Sequence, residues 1–169
     1  MPTTKEEAIK EGRAKARFNM ENYGSCAQST VMALQDVLEL KDDAVLKAST
    51  SMTGGIGRMR DACGGLLGAA MFLGQVYGRD RANIADKEKL GDLMPHVGKL
   101  YKWYEKTFGS ATCYDIKTLM GDGVYYDSSV PWQAELAKQE GVDKKCDDLV
   151  EETVAWVIDH VWEDAAALK

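Results

Sequence analysis

Apolar residues recur at three- and four-residue spacing from one end of the chain to the other, and no segment alternates for long enough to suggest a strand. Thr4-Lys5-Glu6-Glu7 is a capping box that opens a first helix to about Asn22, with Ala8, Ile9, Gly12 and Ala16 on its inner face. A second helix, from about Ser25 to Leu40, places Cys26, Ser29, Thr30, Ala33 and Val37 on one stripe. A third begins at Asp42 or Asp43 and reaches about Met52, where Thr53-Gly54-Gly55-Ile56-Gly57 breaks the pattern.

Asp61 is expected to start a strongly apolar helix to about Tyr77, with Cys63, Leu66, Leu67, Ala70, Met71 and Gly74 at helical spacing. Gly64, Gly65, Gly68 and Gly74 each cost a helix about 1 kcal/mol relative to alanine, so a neighbouring backbone or a cofactor is expected to come close. A long helical stretch from about Asn83 to Phe108 is expected to kink or break near Pro95. Ser110 or Thr112 caps a short helix carrying Cys113, Ile116 and Met120, and Gly121 to Pro131 reads as a loop. A helix from about Trp132 to Gln139 stops at Gly141. Asp143 then opens the last helix, with Cys146, Val150, Thr153, Val157 and Val161 on one face. The expected fold is all-α, a single-domain multi-helix bundle over residues 1–169 built on a glycine-rich central helix.

Composition narrows the function. A chain of 169 residues with a formal charge of −6 is one domain's worth and lacks the basic surface that nucleic acid requires. No apolar run approaches the length of a membrane span, and the N-terminus lacks the layout of a signal peptide, so a cytoplasmic protein without membrane insertion is expected. In that compartment four cysteines read as reduced, catalytic or ligating.

Cys26, Cys63, Cys113 and Cys146 each fall within the first turn of an expected helix, behind Ser25, Asp61, Thr112 and Asp143. Free N–H groups and the helix dipole there favour thiolate and are expected to depress the cysteine pKa. No CxxC pair joins them, so any common site depends on folding. Gly54, Gly55 and Gly57, with Gly64 beyond them, are the candidate cofactor-binding glycines, although a sharp connection between helices is the simpler reading of the loop. Arg58 and Arg60 read as surface residues. His96 and His160 form neither HExxH nor a pair at helical spacing, which speaks against metal ligation or acid–base work. Asp147-Asp148 and Glu151-Glu152 read as a favourable acidic helix start, and Tyr125-Tyr126 as a lid or contact in a polar loop.

The segments Asn22-Tyr23-Gly24-Ser25-Cys26-Ala27-Gln28, Gly54 to Ala69 around Cys63, Gly109-Ser110-Ala111-Thr112-Cys113 and Lys145-Cys146-Asp147-Asp148-Leu149-Val150 together resemble the four-cysteine redox-active family C_GCAxxG_C_C. Gly65 stands where that family usually has alanine. The resemblance implies an all-helical protein with a four-cysteine redox site. Similarity to the non-haem part of split-Soret cytochromes implies an iron-sulfur cluster, most simply 2Fe-2S, on Cys26, Cys63, Cys113 and Cys146, serving electron transfer with a redox partner. The residues leave two rivals open: a metal-free thiol/disulfide oxidoreductase with Cys63 and Cys26 as catalytic thiols, and a zinc-stapled interaction domain. Buried unreactive cysteines remain the plain alternative, and a homodimer is left open.

Overall fold

The computed structural model describes residues 2–168; Met1 and Lys169, the two ends of the expected domain, lie outside the described residues. Among the described residues the chain forms eight α-helices and no strand, as the periodicity predicts. Helix α1 spans Lys5–Tyr23, α2 Cys26–Leu38, α3 Asp43–Ser49, α4 Gly64–Tyr77, α5 Lys87–Phe108, α6 Cys113–Met120, α7 Pro131–Gln139 and α8 Val142–Ala167, with a 3-10 turn at Thr50–Met52. No helix among these residues is long and apolar enough to cross a membrane.

Side chains that compete for backbone groups set the helix starts. The Thr4 and Glu7 side chains close the capping box of α1, Ser25 accepts from Gln28 N–H at α2, and Thr112 accepts from Asp115 N–H at α6. Helices α2, α4 and α8 pack on one another, α1 covers α2 and α8, and α5 lies along α4. Ala33, Leu34, Phe72, Leu73, Val150, Val154 and Val157 fill the space between them. At Gly68 a Cβ would stand 2.5 Å from the carbonyl oxygen of Ala27, so α2 and α4 touch backbone to backbone near their N-terminal ends. Gly74 has open space around it, contrary to the expected close approach.

Several boundaries differ from the sequence reading. Helix α5 runs through Pro95 without a break, and it starts at Lys87 because Asp86, not a residue near Asn83, caps it by accepting from Lys89 N–H. Helix α4 begins at Gly64 rather than Asp61, because residues 60–63 are drawn out against 111–114: Cys63 N–H donates to Ala111 O (2.8 Å), Cys113 N–H to Asp61 O (2.7 Å) and Tyr114 N–H to Arg60 O (3.1 Å). Ala62 and Thr112 form an isolated antiparallel bridge at its centre. Helix α8 starts at Val142 behind a left-handed Gly141, so Cys146 is its fifth residue and sits past the first turn. The acids that follow are not an end-charge device either. Arg17 of α1 pairs with Asp148, Glu151 and Asp147, and Arg13 with Glu152, fastening α1 to α8.

Candidate functional site

Four separate elements deliver the four cysteines. Cys26 is the first residue of α2, Cys63 is the cap residue of α4, Cys113 is the first residue of α6, and Cys146 lies one turn into α8. The bridge between residues 60–63 and 111–114 sets Cys63 opposite Ala111 and Cys113 opposite Asp61, so the two cysteines lie diagonally on one face of the ribbon. Gly64 supplies room for the third thiol: a Cβ there would be 2.3 Å from the Cys26 sulfur, so the sulfur rests against the bare backbone next to Cys63. The Cys146 sulfur packs 3.7 Å from Met120 Sδ at the end of α6. All four are free thiols. Cys63 and Cys113 each lie within electrostatic reach of Cys26, and Cys146 within reach of both Cys113 and Cys26.

Burial decides their protonation. It pushes Cys63 far above the ordinary thiol range, reinforced by Cys26, and the Leu66 and Gly65 N–H groups that face the sulfur only partly oppose it. Burial also raises Cys113, against the opposing charges of Lys117 and Arg60, and raises Cys146 to about 12. The expected depression by helix N-termini is therefore reversed: at Cys63 the helix N–H groups are present and desolvation outweighs them, while Cys146 lies past the first turn of α8 and is raised by burial without them.

Tyr104, fully buried on α5, closes the inner side. Its hydroxyl meets Thr153 Oγ1 at 2.6 Å; Thr153 donates its own proton to Leu149 O (2.8 Å), so Tyr104 is the donor. Burial raises the Tyr104 phenol well above its ordinary value, with Cys63 adding to the shift. On the outer side Arg60, expected at the surface, pairs with Asp127 and with the Tyr125 hydroxyl; Tyr125 stacks on Tyr114 with centroids 4.7 Å apart. Hydrogen bonds from Ser129 and the Arg60 charge hold Asp127 at about 2. Tyr125 is therefore packed within the chain against Tyr114 and Arg60.

The glycine loop has an unusual hand. Residues 54–58 all carry positive φ, including Ile56 at 56° and Arg58 at 66°, and Arg60 follows at 67°. The Gly57 N–H donates to Ser51 O (2.7 Å), while Gly54 and Gly55 accept through their carbonyls from Arg60 and Asp61 N–H. At Gly55 a Cβ would also strike Asp61 N at 2.7 Å, which ties this loop to the strap that carries Cys63.

Sequence reasoning missed three neighbours: Tyr104, Met120 and Lys117. Lys117 and Met120 had a local signal, their positions four and seven residues after Cys113 on the same helix face, whereas Tyr104 had none. It also missed that α5 and α8 bring His96 and His160 together, Nδ1 to Nε2 at 2.9 Å, between the stacked rings of Tyr77 and Trp156. Among the described residues no three His, Cys, Asp or Glu side chains are arranged to hold one metal ion. The four thiols are nevertheless the all-sulfur donor set that iron-sulfur clusters use.

A family model described as "Putative redox-active protein (C_GCAxxG_C_C)" matches residues 24–160, a span that contains all four cysteines. No curated protein and no solved structure matches the chain.

Proposed function

The chain belongs to the C_GCAxxG_C_C family, and from that premise we propose that Cys26, Cys63, Cys113 and Cys146 hold an iron-sulfur cluster, most simply 2Fe-2S, for one-electron transfer to a redox partner. The observation that carries this reading is the gathering of four free thiols from four elements, three of them raised in pKa by burial. A thiol held protonated is a weak nucleophile at neutral pH, whereas a coordinating metal displaces the proton outright. The Leu66 and Gly65 N–H groups that face the Cys63 sulfur suit a ligand that carries negative charge. When bound, the cluster supplies a reversible one-electron couple; the chain supplies the thiolates, the apolar wall of Tyr104 and Leu66, and shielding from water.

Zinc is the weaker metal reading. Tetrahedral ligation at about 2.3 Å needs all four sulfurs within about 4 Å of one another, and the described residues offer no group of three arranged around one ion. A two-iron cluster spreads its four thiolates over two irons, two on each, so it does not require three sulfurs around one ion.

One observation favours a metal-free alternative. The Cys26 sulfur lies against Gly64, beside Cys63, where two thiols could give up two protons and two electrons to a disulfide-forming acceptor. The test is anaerobic reconstitution with ferrous iron and sulfide, followed by iron and sulfide analysis and a visible spectrum. Stoichiometric iron in the wild type, lost in Cys63→Ser, is expected. An iron-free, colourless wild type whose Cys26 and Cys63 titrate as a two-electron pair would overturn the cluster and select the dithiol.

A further inference from the structure

Among the described residues Lys117 is the one charged side chain that is buried, 9% exposed, and it stands at the cysteine site. It lies one helical turn after Cys113 on α6, its ammonium is 5.9 Å from the centre of the Tyr125 ring, and its charge is felt at the sulfurs of Cys113 and Cys146. No carboxylate pairs with it among the described residues, although the chain carries 27 acidic side chains. Its neighbour Arg60 differs in this respect, since Asp127 already meets its charge. With its stem covered and no carboxylate on its ammonium, Lys117 leaves its charge available to whatever negative charge develops at the neighbouring thiols.

We propose that Lys117 is the charge-balancing residue of the four-cysteine site: its ammonium offsets the negative charge that the site gains on reduction, and thereby sets the reduction potential. The inference rests on the cluster reading above. In the step concerned, a one-electron donor such as dithionite loses one electron, and the site accepts it and becomes more negative by one charge. No bond is made or broken, and no proton has to follow, because the compensating charge is already in place. A fixed cation stabilises the reduced form more than the oxidised one, and so raises the potential.

Two variants test this in the reconstituted protein. In Lys117→Met the equilibrium for reduction by dithionite, followed by the visible spectrum in a potentiometric titration, should fall at least tenfold, which is about 59 mV for a one-electron couple. Lys117→Arg, which keeps the charge, should stay near the wild-type potential. The metal-free Lys117→Met protein should melt no lower than wild type, since it loses an uncompensated charge; a lysine that serves only packing would melt lower and leave the potential in place. Unchanged potential in Lys117→Met, or an equal fall in both variants, would overturn the inference while leaving the cluster intact. A wild type that takes up no iron would remove the cluster reading and this inference with it.

Discussion

Gly64→Ala and Gly74→Ala make the same chemical change on one helix and should act oppositely. Both replacements gain helix propensity, worth up to about 1 kcal/mol in a helix interior and less at Gly64, the first residue of α4. At Gly74 nothing lies within 4 Å of the added Cβ, so the whole gain should appear as stability. At Gly64 the Cβ would stand 2.3 Å from the Cys26 sulfur and 3.0 Å from Met52 O, where an ordinary carbon contact needs about 3.5–4.0 Å. The sulfur must retreat by about 1 Å or more, and the carbonyl on the other side limits how far the helix can yield. Overpacking of this kind costs about 1–3 kcal/mol and the propensity gain at Gly64 is small, so the net expectation is a loss of up to about 3 kcal/mol at Gly64 against a gain of up to about 1 kcal/mol at Gly74. Urea unfolding of the metal-free proteins measures both, and iron incorporation gives an independent reading: Gly64→Ala should lose iron because Cys26 is displaced, whereas Gly74→Ala should not. Equal stability and equal iron content in the two variants would refute the close approach of Cys26 to the start of α4.

Two further outcomes follow from strain and from charge. Ile56→Gly should raise the urea midpoint by the equivalent of about 1 kcal/mol, because a β-branched residue at φ 56° carries a penalty of about 1–2 kcal/mol that glycine avoids; an unchanged or lower midpoint would contradict it. Burial, with His96 and Lys99 adding, holds His160 below its ordinary value of 6.5 in the folded protein. The unfolded chain therefore binds the proton first, so stability should be full above about pH 6.5 and decline as pH falls toward 5.5. His160→Gln should show a smaller decline over that interval in urea titrations, and an identical decline would remove His160 as its source.

Most helix starts set by one local side chain were legible: Thr4, Ser25, Asp42 and Thr112 each accept from the backbone a few residues on, while Asp86 does the same at α5 but stood behind an earlier candidate near Asn83. They misled where the backbone had a distant partner. Asp61 has the chemistry of a cap, yet its N–H donates to Gly55 O and its carbonyl accepts from Cys113, and no pattern within residues 53–63 announces either bond. Asp143 also has the chemistry of a cap, yet the left-handed Gly141 stands just before the helix and no side chain caps it. The four cysteines could be picked out as a set, and three do occupy helix starts, but the sign of their pKa shift could not be read. Dipole and capping groups are local properties; the burial that outweighs them at Cys63 arises from packing among α2, α4, α5 and α8. Lys117 escaped for the same reason, since nothing in its neighbours states that a lysine will be covered.

The hydrogen-bonded strap between residues 60–63 and 111–114 divides the site's freedom of movement unevenly. Cys63 and Cys113 ride on it as a single body, locked in register by backbone bonds that side-chain motion does not loosen. Cys26 and Cys146 travel instead with α2 and α8, two helices that meet across the core. The candidate site thus joins one backbone-locked pair to two thiols carried by helices, and because α2 and α8 pack on each other, the spacing of Cys26 and Cys146 from that pair gauges how tightly the bundle is drawn together.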